Sequence, residues 1–149
     1  MAITYGHTNI ICEDWQKLAE FYTSLFDCVL VPPKRQQSGE WLADGTGVKD
    51  ASLEGVHLRL PGHGETGPTL ELYSYKHMLD KPPPSPNRKG LGHLAFGVDD
   101  VKEKMDQVIA NGGSTLGKVV TREVPGAGII TFTYVADPEG NIIELQKWS

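Results

Sequence analysis

Gly140-Asn141-Ile142-Ile143-Glu144-Leu145 reads as a short buried strand carrying one charge. The chain has already used the pattern once, at Gly67-Pro68-Thr69-Leu70-Glu71-Leu72. In both stretches a Glu follows a Gly by four residues and lies between apolar neighbours. Working back from each stretch, a second matched pair emerges: Tyr5-Gly6-His7 precedes the first and Leu91-Gly92-His93 the second. An internal repeat constrains architecture more than any other sequence feature. Here each copy supplies one imidazole and one carboxylate, donor types that suit divalent first-row metals.

The segments between the matched ends follow one order in both halves. Ile3 to Cys12 reads as a strand, with alternating residues around His7. Trp15, Leu18, Ala19, Tyr22, Leu25 and Phe26 recur at helical spacing behind Asp14, a suitable N-cap. Val29 to Val31 reads as a short strand stopped by Pro32-Pro33. Residues 34–50 read as an irregular loop containing Trp41 and Leu42, with Trp41 either part of a lid or an anchor on the sheet. Leu53 to Leu60 and Thr69 to Tyr75 complete the strands of this half.

Lys81-Pro82-Pro83-Pro84-Ser85-Pro86-Asn87 has the composition of a stiff, extended linker. The expected organisation is one domain over residues 1–149, with module one at 1–80, a linker at 81–89 and module two at 90–149. In module two, Gly92 to Val98 reads as a strand. Asp99-Asp100 caps a helix with Val101, Met105, Val108 and Ile109 inward, ended by Asn111-Gly112-Gly113. Leu116 to Val124, Ile129 to Val135 and Asn141 to Trp148 are the remaining strands. Each half is therefore strand, helix, three strands, and the expected fold class is α+β with two tandem βαβββ modules. The His-to-Glu spacing is longer in the first half (7 to 71) than in the second (93 to 144), and the loop at 34–50 absorbs the difference at small entropic cost.

Composition removes several classes of partner. A net charge of −5 without a run of Lys or Arg offers no electrostatic basis for binding nucleic acid or an anionic membrane. No apolar run approaches the ~18 residues of a membrane helix. Met1-Ala2-Ile3-Thr4 has no basic start leading into an apolar stretch, so no secretory signal is expected. The two cysteines, Cys12 and Cys28, read as reduced and partly buried thiols, which together with the missing signal predicts a cytoplasmic location.

Strand parity says where the repeated ligand types point. Leu70 and Leu72 share one face, and Glu71 takes the other with Thr69 and Tyr73. Ile143 and Leu145 oppose Glu144, which lies with Ile142, Gln146 and Trp148. Leu94, Phe96 and Val98 oppose His93, Ala95 and Gly97. His7 is less segregated, sharing its face with Ile3, Tyr5 and Ile11. A single Glu or His in a strand is usually solvated or packed, but two of each at matching places in a repeat favour metal binding.

The chain resembles the vicinal oxygen chelate superfamily, which includes glyoxalase I, methylmalonyl-CoA epimerase and the type I extradiol dioxygenases. The resemblance runs along essentially the whole sequence. It is carried most specifically by Asp137-Pro138-Glu139-Gly140-Asn141-Ile142-Ile143-Glu144-Leu145, similar to the family's closing motif, and next by Phe21-Tyr22-Thr23-Ser24-Leu25-Phe26 on the first helix. Family members end that helix stretch with Leu-Gly, where this chain has Phe26-Asp27. The resemblance implies a curled mixed sheet forming a cup around one divalent metal (Zn, Ni, Co or Mn), with His7, Glu71, His93 and Glu144 as ligands. It also implies Glu144 as catalytic base, with Glu71 as the other candidate, and a homodimer.

By parity His57, Arg59, Phe132 and Tyr134 would line the same cup as substrate-binding residues, Arg59 holding a carboxylate. The implied activity is a metal-dependent lyase or isomerase that stabilises an enediolate or enolate from a small α-oxygenated carbonyl substrate. Two other readings stay open, an Fe(II) ring-cleaving dioxygenase and a non-catalytic binder of small molecules such as antibiotics. Glyoxalase I relatives carry a glutathione-holding Arg where this chain has Ile11, and methylmalonyl-CoA epimerases usually carry Gln where it has Glu71.

Overall fold

The computed structural model describes residues 2–149. In chain order its elements are β1 (His7–Ile11), α1 (Trp15–Leu25), β2 (Val29–Ser38), α2 (Glu40–Thr46), β3 (Ser52–Arg59), β4 (Thr69–Tyr75), β5 (Leu94–Gly97), α3 (Val101–Ala110), β6 (Ser114–Thr115), β7 (Val120–Val124), β8 (Gly128–Ala136) and β9 (Ile142–Trp148). The chain divides between Lys81 and Pro82 into two units. The first unit holds an open four-stranded sheet of order β1-β4-β3-β2. The second holds a sheet of order β5-β9-β8-β6, with β7 also paired to β8.

The repeat seen in the sequence is a repeat of topology. In each sheet the first strand lies parallel to the last, β1 on β4 and β5 on β9. The last strand then runs antiparallel to the one before it, β4 on β3 and β9 on β8. The α+β assignment and the two strand–helix–strands modules hold.

Aspartates start both long helices. Asp14 Oδ1 accepts from the Lys17 N–H at 3.1 Å, and Asp100 Oδ1 accepts from the Glu103 N–H at 2.8 Å. Each satisfies one of the N–H groups that a helix start leaves without an intrahelical partner. α1 then buries Leu18, Phe21, Tyr22 and Leu25 and packs on β3 and β4, where Leu58, Leu70 and Leu72 are fully buried. α3 packs on β8 and β9 with Val101 and Val108 against a layer that includes Val135, Ile143 and Leu145. Burying each such aliphatic side chain is worth about 1.5–3 kcal/mol. The helices thus claim one face of each sheet and leave the ligand-type residues on the other. Among the described residues no helix is long and apolar enough to cross a membrane.

Several expected boundaries are corrected. The first strand begins at His7 rather than Ile3, whose side chain is 99 % exposed and packs on nothing that would hold it in a sheet. Pro32-Pro33 does not stop β2, which runs from Val29 to Ser38. β2 is an edge strand, and its register against β3 shifts between Val31 and Arg35, so the missing proline N–H groups break no ladder. Residues 34–50 are not an irregular loop. They finish β2 and form α2, which inserts Leu42 among Ala51, Leu53 and Tyr73.

Trp41 is exposed and only ties its indole N–H to the Ser38 carbonyl at 2.9 Å, so Leu42 is the anchor. In the second unit the expected strand from Leu116 to Val124 is shortened to β7 at Val120–Val124, and a separate two-residue strand, β6, precedes it; both pair with β8. The strand at Gly92 to Val98 is shorter, Leu94–Gly97. Ile109, expected inward, is 45 % exposed because only Val101 and Val108 of α3 reach the core.

A tight loop sets where β9 begins and therefore which residue faces which side. Asp137 is buried, and its Oδ1 accepts from the N–H groups of Glu139 at 2.9 Å and Asn141 at 3.0 Å. The Asn141 side-chain amide donates to the same carboxylate, and Gly140 follows at φ 83°, where a side chain is disfavoured. Asp137→Ala is expected to cost about 1–3 kcal/mol by stranding these donors. The check is an equilibrium urea titration, in which the midpoint should fall while the slope stays constant.

Both cysteines are buried. Burial, helped by the charge of neighbouring Asp27, pushes the Cys28 thiol up to about 12. A thiol is nucleophilic only as the thiolate. An aromatic disulfide reagent at about pH 8 should therefore find no fast thiol in the native protein and both after denaturation. Rapid labelling of native Cys28 would contradict the packing at the end of α1.

Candidate metal centre

In the first unit three strands bring their polar faces together. The register places Asn9 on one side of Glu71 and His57 on the other. Glu71 is only 8 % exposed, which for a carboxylate requires partners. Its Oε1 accepts from the Asn9 side-chain amide at 2.8 Å and lies 3.6 Å from His7 Nε2. Its Oε2 lies 2.7 Å from His57 Nε2. His57 in turn meets Thr69 Oγ1 through Nδ1 at 3.1 Å and the Tyr73 hydroxyl through Nε2 at 3.2 Å. The two imidazoles stand nearly perpendicular, with ring centroids 5.6 Å apart.

Electrostatics follow from this crowding. Burial lowers the His57 pKa, opposed by the charge of Glu71 and reinforced by the positive charge of Arg35 and by His7. Burial first, then the neighbouring Glu71 carboxylate, pushes the Tyr73 hydroxyl well above its ordinary value, so it stays protonated and can donate. His7, His57 and Glu71 offer ligand atoms that all lie within 4.8 Å of one another. Two imidazoles and a carboxylate are a known donor set for catalytic zinc and for non-haem iron. The residues present therefore fit a divalent metal ion.

The second unit repeats the pair with a different surround. His93 stands just ahead of β5, and its Nε2 lies 3.0 Å from Glu144 Oε2. The His93 ring lies 4.7 Å from that of Tyr134, which lies 5.9 Å from Phe132. Tyr134 is in register with Glu144, as His57 is with Glu71. On the opposite side Ala95 is in register with Glu144, as Asn9 is with Glu71.

Within each unit the expected ligand pair is together, His7 with Glu71 and His93 with Glu144. Phe132 and Tyr134, expected as an apolar wall, lie as an aromatic pair with Tyr134 beside His93. Arg59 lies across from Thr69, partly exposed, and its side chain has no ion pair or hydrogen bond among the described residues. His57 does more than line a wall, since it touches Glu71 directly. Asn9 was not singled out in the sequence, although it shares the strand parity of His7. Tyr73 was placed on the Glu71 face, but its approach to His57 depends on Gly55 across the ladder. A Cβ at Gly55 would collide with the Leu72 carbonyl and with Tyr73 Cδ1.

The sequence model of the Glyoxalase/Bleomycin resistance protein/Dioxygenase superfamily matches residues 4–145. A protein named probable lactoylglutathione lyase from Vibrio cholerae is 30 % identical over 93 % of this chain and 86 % of its own length. Another of the same name from Synechocystis sp. is 29 % identical over 96 % of this chain and 94 % of its own. The crystal structure of a glyoxalase family protein from Bacillus cereus superposes with a TM-score of 0.83 at 19 % identity, covering 99 % of this chain and 95 % of that one. A glyoxalase-related enzyme from Fulvimarina pelagi gives 0.56 at 18 % identity, over 97 % of this chain and 87 % of that one. With two sheets of matched topology, an imidazole–carboxylate pair in each and these relatives, the chain belongs to the Glyoxalase/Bleomycin resistance protein/Dioxygenase superfamily.

Proposed function

We propose that this protein is a metal-dependent lyase or isomerase of the glyoxalase type, acting on a small α-oxygenated carbonyl substrate. The observation that carries the reading is the imidazole–carboxylate pair standing on the helix-free face of each sheet, at 3.6 Å for His7 and Glu71 and 3.0 Å for His93 and Glu144. The relatives named probable lactoylglutathione lyase support the reaction class. His7, Glu71, His93 and Glu144 are the proposed ligands of a divalent ion (Zn, Ni, Co or Mn). When bound, such an ion acts as a Lewis acid on a carbonyl oxygen and so acidifies the adjacent C–H.

The chain's own carboxylates divide the remaining work unequally. Glu71 is held by Asn9 and His57 as well as by its approach to His7, so it serves as a fixed anion. Glu144 has one side-chain partner among the described residues, His93, and Ala95 stands where Asn9 braces Glu71. It is the carboxylate free to swing and take the α-proton, and to return it to the neighbouring carbon. Arg59, unpaired among the described residues, holds a carboxylate of the substrate, and Phe132 and Tyr134 pack on its apolar part. Anionic substrates are accordingly favoured over neutral ones. The protein acts as a homodimer, which gel filtration tests; a mass near one chain would overturn that part.

The direct test is turnover of the hemithioacetal of methylglyoxal and glutathione by protein loaded in turn with Zn, Ni, Co and Mn, beside a panel of acyl thioesters scored for proton exchange. Loss of turnover on chelation, and recovery on adding the ion back, is the expected result. A second reading has one observation in its favour: His7, His57 and Glu71 are also the donor types of Fe(II) oxygenases. Catechol cleavage by the anaerobically Fe(II)-loaded protein, without isomerisation of any panel member, would replace the first reading with that one.

A further inference from the structure

We propose that His57 is itself a metal ligand, so that His7, His57 and Glu71 make the first unit a complete three-donor site for a divalent ion without the second unit. The proposal rests on the reading that this protein uses a divalent ion, and it adds a donor that the repeat does not predict. Comparison of the two sheets isolates that donor. The residue in register across from Glu71 is His57, and the residue in register across from Glu144 is Tyr134. The halves agree on one imidazole and one carboxylate, and only the first adds a second imidazole.

The surroundings of His57 are those of a ligand rather than of a packed histidine. Its Nδ1 is engaged by Thr69 Oγ1 at 3.1 Å, which fixes the ring and leaves Nε2 as the nitrogen directed at Glu71 at 2.7 Å, where it also meets the Tyr73 hydroxyl at 3.2 Å. Metal-bound histidines commonly have their outer nitrogen held in this way. Glu71 is braced through Oε1 by Asn9, leaving Oε2 toward His57. Both inner groups are well covered, the side chains being 17 % and 10 % exposed, whereas His7 is 47 % exposed. The third donor therefore stands at the open side, where an ion or a substrate oxygen would arrive. A purely structural His–Glu pair accounts for the 2.7 Å contact but not for a second imidazole within 4.8 Å of the same ligand atoms.

The experiment is Zn(II) binding to metal-free full-length protein, measured against a chromophoric competitor, with X-ray absorption counting the imidazoles on the bound ion. The His93→Ala/Glu144→Gln protein lacks two of the proposed ligands and should bind Zn(II) more weakly than the wild type, yet still bind one ion, through the two imidazoles of the first unit. Adding His57→Phe should lower affinity more than about 1000-fold, beyond the 10–100-fold of losing an outer partner. His57→Asn in the same background repeats the measurement if the Phe variant does not fold. If the His93→Ala/Glu144→Gln protein binds no Zn(II), or binds it through a single imidazole, the proposal is overturned while the metal-dependent reading stands on wild-type binding. If wild-type protein takes up no divalent ion, both fail.

Discussion

Glu144→Gln protein should remain folded and lose turnover by about 10²–10⁴-fold, the usual contribution of a positioned base. The amide keeps the size of the carboxylate and can still meet His93, now at 3.0 Å from Glu144 Oε2, but it cannot accept the α-proton. Melting should shift by no more than a few degrees, because the substituted group has one side-chain partner among the described residues. Glu71→Gln makes the informative contrast. Glu71 is anchored by Asn9 and His57, so its loss should weaken the metal site and be partly rescued by excess metal. Glu144→Gln should not be rescued, since the missing function is proton transfer. The measurement is kcat as a function of metal concentration for the two variants side by side. Retention of more than about a tenth of wild-type kcat by Glu144→Gln would place the base elsewhere.

One residue along from Glu71 the expected effect changes from chemistry to stability. Leu72 is fully buried on the face that receives α1. Leu72→Ala should destabilise by about 2–5 kcal/mol, the transfer term and the cavity term acting together. At about 2–4 °C per kcal/mol for a chain of this size, melting should fall by roughly 5–15 °C. At temperatures where the variant is still folded, its metal stoichiometry should equal that of the wild type. Calorimetry and metal analysis on the same sample check both statements. A melting shift under about 2 °C would mean that this position collapses around the missing atoms, or that the core lies elsewhere. The adjacent pair, one residue on the polar face and one in the core, follows from the two-residue period of a strand.

That period explains why so much was readable in advance. Glu71, His93 and Glu144 were placed away from the apolar faces by alternation alone, and the structure puts them there. Asp14 was legible as a cap because a carboxylate ahead of an amphipathic run has one strongly favoured use. The matched order of elements carried through to matched strand pairing, β1 on β4 and β5 on β9. Where local patterns conflicted with tertiary position, the readings went astray. Pro32-Pro33 normally ends a strand, but on the outer edge of a sheet the absent N–H groups have no neighbour to bond. α2 is too short to show a convincing helical period, and it is held by Leu42 packing under Tyr73 and Leu53 rather than by propensity.

The site divides along the same line. The sequence by itself determined the fold class, the repeat, and the residue types that recur within it, because periodicity and repetition are properties of one dimension. Only the tertiary structure decided which neighbours those residues have. Asn9 and His57 are far from each other along the chain, and strand register alone brings them to the two sides of Glu71. Register depends on the packing of whole faces, so a one-residue slip would have turned every one of these side chains to the other side. Gly140-Asn141-Ile142-Ile143-Glu144-Leu145 and Gly67-Pro68-Thr69-Leu70-Glu71-Leu72 look alike as strings. Folded, one Glu is braced between Asn9 and His57 and the other stands between Ala95 and Tyr134, and that difference of neighbours supports the proposed roles of anchor for Glu71 and base for Glu144.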